Sequence, residues 1–163
     1  MEDEKIIHEP KFFSVDELRL LKDLESQQIN KVLFHYWVNA AKLDDIIQLL
    51  NYIEFQFIDN TNLIIAASEL CDSIEVVTID IEAEKKSLLE KFKGNITLQT
   101  TDKTKDPLWS RMIGYPVAEI LLDKNLSNQF YSDKMIIDFL PLRILISIIP
   151  LGLQYTEITD HLN

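Results

Sequence analysis

The side chains of this 163-residue chain from which chemistry could be assembled are three histidines, one cysteine and a dense run of carboxylates. His8, His35 and His161 are too scattered to share metal-ligand spacing, and Cys71 alone cannot complete a zinc site with them. His35 sits between Phe34 and Tyr36 with Trp37 beyond, and reads as a strand histidine with a satisfied hydrogen bond rather than as a general base. Cys71 lies beside Glu69 and Asp72, and acidic neighbours raise a thiol pKa, so an ordinary half-buried thiol is expected rather than a nucleophile. Asp80-x-Glu82-x-Glu84 lacks the glycine turn and ligand spacing of a calcium loop, and the three acids are better read as the first turn of a helix.

Only three glycines occur, Gly94, Gly114 and Gly152, none in a phosphate-cradling pattern, so the P-loop and the dinucleotide fingerprint are both absent. No catalytic motif, cofactor or metal site is expected. The reading is non-enzymatic.

The carboxylates are the chain's most pronounced feature. The formal net charge is −11, and the segment from Asp44 to Glu84 holds Asp44, Asp45, Glu54, Asp59, Glu69, Asp72, Glu75, Asp80, Glu82 and Glu84 with no Lys or Arg. The following stretch, Lys85 to Arg111, is net basic. A concentrated negative field repels nucleic-acid phosphates and anionic lipid and speeds encounter with a basic partner. It also serves as a solvated coat that keeps a small protein soluble.

Three functional expectations follow. The first is an acidic protein-binding module that docks a basic protein partner, with the general character of an immunity or inhibitor protein; the analogy is one of size and charge. Its contact residues would be Asp44, Asp45, Glu54, Asp59, Glu69, Asp72 and Glu75, with Tyr36, Trp37 and Tyr52 as aromatic anchors. The second is self-association through exposed strand edges, giving a homodimer rather than a monomer. The third is a small-ligand site with Trp109, Arg111, Tyr115 or His35 at its mouth, Arg111 holding an anionic group.

Those residues must be held by secondary structure, and the local signals are readable. Length and a 47% hydrophobic fraction suit one globular domain over 1–163. An acidic start without an apolar run and the single cysteine point to a cytoplasmic protein. The apolar stretch Met135 to Leu153 contains Asp138, Pro141, Arg143 and Pro150 and reads as buried strands rather than a membrane span.

Residues 1–11 read as a loose tail. Ser14-Val15-Asp16-Glu17 is a capping box, with Phe13 and Leu18 at hydrophobic-staple positions, and predicts a helix over 14–26. A strand is predicted over 31–39 and a short helical turn over 42–51, on Leu43, Ile46, Ile47 and Leu50. A hairpin follows over 53–67, a third strand over 74–81, a helix over 82–93 and a short strand over 96–100. The polar stretch 101–107 is the best internal boundary. Strands are predicted again over 117–123, 135–139, 144–148 and 151–158. The fold class is therefore α+β, two antiparallel β-meanders with an N-terminal helix and a connecting helix. The hairpin spacing predicts an internal duplication, with repeats over 29–81 and 115–159.

Overall fold

The N-terminal capping box forms as its residues dictate. In a computed structural model describing residues 9–42 and 44–159, Ser14 Oγ accepts from the Glu17 amide at 3.1 Å and Glu17 Oε1 accepts from the Ser14 amide at 3.0 Å. Helix α1 (Val15–Leu24) follows, burying Leu21 and Leu24, while Phe13 and Leu18 both pack on the core. Residues 1–8, including His8, lie outside the described residues, as do Leu43 and 160–163 with His161. Lys11, at the end of the segment read as a tail, accepts from the Ser132 amide and pairs with Asp72 at 2.7 Å.

The first meander consists of β1 (Ile29–Asn39), β2 (Ile47–Phe57), β3 (Asn62–Ala67) and β4 (Ile74–Val77), each antiparallel to the one before. Helix α2 (Ile81–Phe92) then leads to β5 (Ile96–Asp102), which returns to pair with the far edge of β1. A single 3₁₀ turn at Trp109–Arg111 precedes the second meander, β6 (Glu119–Leu121), β7 (Lys134–Asp138), β8 (Arg143–Ile149) and β9 (Gly152–Ile158). The two halves join into one nine-stranded mixed sheet where Leu50 of β2 pairs in parallel with Gly152 of β9. Both halves run strand by strand in chain order, but unequally. β1 has eleven residues and β5 on its outer edge, whereas β6 has three and stands at the rim.

Three expectations are corrected. The segment 42–51 is not helical, because most of it is the start of β2. Its apolar residues do not form one buried face: Leu50 is buried, whereas Ile46 and Ile47 are exposed. A long β1 offers a ladder partner for each residue from Ile47 to Leu50, and that pairing overrides the weak local period. Nor is 101–107 a boundary. β5 runs to Asp102, the Lys103 amide donates to the Val32 carbonyl, and Thr104 Oγ1 accepts from the Val32 amide, so the segment continues the sheet. The third strand also ends early, at Val77, because Asp80 caps α2 by accepting from the Glu82 and Ala83 amides.

The core lies where the two meanders face each other. Trp109, fully buried, is packed by Phe34, Phe55 and Tyr155 with ring centroids 5.3–5.9 Å away, and Ile53, Met135, Ile137, Ile144 and Ile146 complete the layer. The Trp109 indole N–H meets no acceptor among the described residues. No helix among them is long and apolar enough to cross a membrane. Met135 to Leu153 forms β7, β8 and the start of β9, and its charges Asp138 and Arg143 pair with each other at 3.2 Å.

Helix α1 and its C-cap each occupy one sheet-edge amide. Glu17 Oε2 accepts from the Val76 amide of β4 at 2.8 Å, and Glu25 Oε1 accepts from the Ile120 amide of β6 at 3.3 Å. Those two amides are thereby denied to other strands.

The joint itself depends on glycine. Gly152 has φ +106°, and a Cβ built there would lie 2.5 Å from the Leu50 carbonyl oxygen. Gly152→Ala is expected to lose about 2–4 kcal/mol, from the left-handed backbone and the clash together. Urea denaturation measures this, and an unchanged midpoint would show that β2 and β9 do not meet as described.

Candidate functional site

Strand alternation gives the first meander two faces. Phe34, Ile53 and Phe55 face the core; Leu33, His35, Trp37, Glu54, Ala66 and Glu75 face the opposite side, over which α2 lies. A β-bulge decides who joins them. His35 pairs with Tyr52 but Tyr36 pairs with Leu50, so Asn51 is the extra residue. Leu49 and Tyr52, three apart, therefore share the outer face, while Leu50 turns into the core.

Two features occupy the outer face. The first is a cavity of about 350 Å³ between the sheet and α2. Trp37, Leu49 and Tyr52 form its aromatic and apolar walls, and Ala66 and Ala67 of β3, being small, leave the volume open. Glu69, Glu75 and Glu84 stand around it, and no Lys or Arg lines it. The three carboxylates have no ion-pair partner among the described residues. Their field is legible in their neighbours. Burial, reinforced by Glu84 and Glu75, pushes the Tyr52 hydroxyl up to about 12. Partial burial, then the Glu17 carboxylate, raises Glu75 above the ordinary range. Trp37 is held from behind by an edge-on contact with Phe92 at 6.2 Å.

The second feature is a polar chain across three strands. Thr100 of β5 stands directly opposite His35 of β1, and its Oγ1 lies 2.8 Å from His35 Nδ1. His35 Nε2 lies 2.8 Å from Glu54 Oε1. The other Glu54 oxygen accepts from Asn62 at 2.9 Å and Gln56 at 3.3 Å. Hydrogen bonding from His35 first, then from Asn62 and Gln56, outweighs burial and holds the Glu54 carboxyl down at about 2.

The acidic residues singled out from the sequence thus divide. Glu69 and Glu75 meet at the cavity with Trp37 and Tyr52. Glu54 does not join them; at 5% exposure its carboxylate is turned to His35. Asp44 and Asp45 are exposed on the β1–β2 connection, Asp59 accepts from Thr61 within the β2–β3 turn, and Asp72 is tied to Lys11 and Ser68. Tyr36 points the other way, into the ring cluster around Phe34. Cys71 borders the cavity with its thiol raised by burial and then by Asp72, as an inert thiol would be. Asp80 caps α2, with Glu82 and Glu84 in its first turn.

Arg111 is held by Glu157 through two bonds of 2.9 and 3.0 Å, and Trp109 is core, so these two do not form the mouth of an anion site. Sequence reasoning missed Glu84 and Thr100. Glu84 could have been placed from the helix cap at Asp80, since it lies one turn in; Thr100 carried no signal, because its partner is set by β5 returning to β1. Among the described residues no group of three or more His, Cys, Asp or Glu is placed to hold a metal ion. No known protein family, curated protein or solved structure matches the chain.

Removing Glu54 leaves the buried His35 Nε2–H without its acceptor. Glu54→Ala is expected to cost roughly 1–3 kcal/mol. Because the folded-state value of about 2 lies below the ordinary 4.5, Glu54 adds stability above pH 4.5 and loses it as pH falls toward 2. Urea midpoints of the wild type and Glu54→Gln should therefore converge through that window; a gap independent of pH would contradict the assignment.

Proposed function

We propose that this protein is an acidic binding module that docks a basic protein partner, in the manner of an immunity or inhibitor protein. One observation carries the reading: the cavity beneath α2 combines two aromatic walls with three carboxylates that form no ion pair among the described residues. A lysine or arginine side chain projecting from a partner suits such a cavity. The ammonium or guanidinium would meet Glu69, Glu75 and Glu84, and its methylenes or planar face would lie on Trp37 and Tyr52. The exposed acids Asp44 and Asp45, beyond the cavity, would steer encounter without contributing much to the bound state.

One edge amide each of β4 and β6 is already taken, by Glu17 and Glu25, which favours this reading over self-association through those edges. We further read the two meanders as products of a duplication, on their shared strand order.

Trp37 supplies the readout. An arginine-rich peptide is expected to quench its emission, and Trp109, buried in the core, is a constant background. Binding should weaken with added salt, and Glu75→Gln with Glu84→Gln together should lower affinity by at least about tenfold, the effect of 1.4 kcal/mol. Because Glu75 titrates above the ordinary carboxylate range, binding should begin to fail on acidification at a higher pH than normal glutamates would require. Emission that ignores the peptide, or binding indifferent to salt and to both substitutions, would remove the proposal.

A further inference from the structure

The chain Thr100–His35–Glu54 lies outside the cation cavity, and the binding reading makes no use of it. We propose that Thr100 is a reactive hydroxyl that accepts acyl groups from small neutral or cationic esters, with His35 as its general base and Glu54 as the residue that positions the imidazole.

The proton positions follow from the contacts. Glu54 accepts at both oxygens, from His35 on one side and from Asn62 and Gln56 on the other, which is the bonding of a carboxylate. His35 Nε2 must then carry a hydrogen. In the neutral ring that leaves Nδ1 as an acceptor, 2.8 Å from Thr100 Oγ1, so the threonine hydroxyl donates to it. The oxygen's lone pairs are left for an incoming electrophile. A nucleophile, its base and the base's orienting group in hydrogen-bond sequence is the arrangement that activates a hydroxyl.

The three residues come from β5, β1 and β2, adjacent strands in a continuous ladder, so their spacing is set by sheet geometry rather than by loops. Burial is graded along the chain. His35 is 1% exposed and Glu54 5%, whereas Thr100 is exposed at the surface end. Solvent and substrate can reach the hydroxyl, while the imidazole and carboxylate are buried at the floor of the cavity in front of it. That cavity is open, about 410 Å³ in volume, and bordered by Ile81, Asp80, Glu82 and Lys85. It is lined by three acids, Glu54, Asp80 and Glu82, against one lysine, which disfavours anionic esters. Lys85 would have to leave Glu82 Oε1, 3.5 Å away, to meet a developing oxyanion.

The step balances without a further reagent. Thr100 Oγ1 forms a bond to the ester carbonyl carbon as its proton passes to His35 Nδ1. The bond from that carbon to the leaving oxygen breaks, and the proton returns to the departing alkoxide, leaving an acyl-threonine and an alcohol. Water, deprotonated by the same nitrogen, can then release the acid.

A fluorophosphonate probe and p-nitrophenyl acetate test this on the intact chain. The fluorophosphonate should add one phosphonyl group to Thr100 with loss of fluoride, located by peptide mass mapping. Thr100→Ser should retain labelling and Thr100→Val should abolish it. His35→Gln should slow it about a hundredfold or more, the usual worth of a general base. Glu54→Gln should both slow labelling and displace its pH profile, which loss of a merely structural hydrogen bond would not do. Nitrophenol release should follow the same order. If His35→Gln fails to fold, the Thr100 pair and the wild-type pH profile still decide. An adduct absent from Thr100, or formed equally fast in folded His35→Gln, would overturn the proposal.

Discussion

A β-strand has two edges, and in this protein β2 must serve three neighbours. One edge is occupied along its length by β1; the other is divided between β3, from Tyr52 to Gln56, and β9, at Leu50. The changeover falls at Asn51, where the bulge lies. An extra residue there bends and twists the strand, which lets its lower end leave the first meander and meet the second. Gly152 completes the joint, because only a residue without a Cβ fits beside the Leu50 carbonyl. The shared aromatic core around Trp109 exists because this division brings the two meanders face to face.

The same bulge creates the candidate binding site. By simple alternation Leu49 and Tyr52 would point to opposite faces; with Asn51 inserted they share one, opposite Trp37 and beside the alanines of β3. Helix α2 then roofs the face, contributing Glu84, and the β3–β4 turn contributes Glu69. A backbone irregularity in the strand that joins the meanders thus becomes a cavity with chemical character.

The chain's carboxylates illustrate how one residue type takes different roles by position. Glu17 and Glu25 each accept from a strand-edge amide. Asp80 caps a helix. Glu54, the most buried of the acidic segment, is stabilised by one imidazole and two amide donors, which offset a desolvation that would otherwise favour the neutral acid. Glu69, Glu75 and Glu84 have no ion-pair partner among the described residues, although the Tyr52 hydroxyl hydrogen-bonds Glu84. The net charge of −11 is therefore a poor guide to the site; what matters is which carboxylates lack compensation.

Much of the secondary structure was legible in the residues themselves. The capping box before α1, the alternation in β1, the Asp59–Asn62 turn and the Gly94 stop after α2 are contacts between near neighbours in the chain, and local chemistry decides them. Both meanders and the α+β class follow from those elements. The short helical turn expected over 42–51 shows the limit: a few apolar residues at roughly helical spacing lost to a long strand that pairs with each residue from Ile47 to Leu50. Cavity and relay were beyond local reading for the same reason. That Glu54 would face His35, that Glu84 would come over Tyr52, and that Thr100 would stand opposite His35 depend on a bulge at Asn51 and on β5 returning across α2 to β1. Such contacts join residues 19 and 65 apart, where no periodicity in the chain records the pairing, and only the folded register decides them.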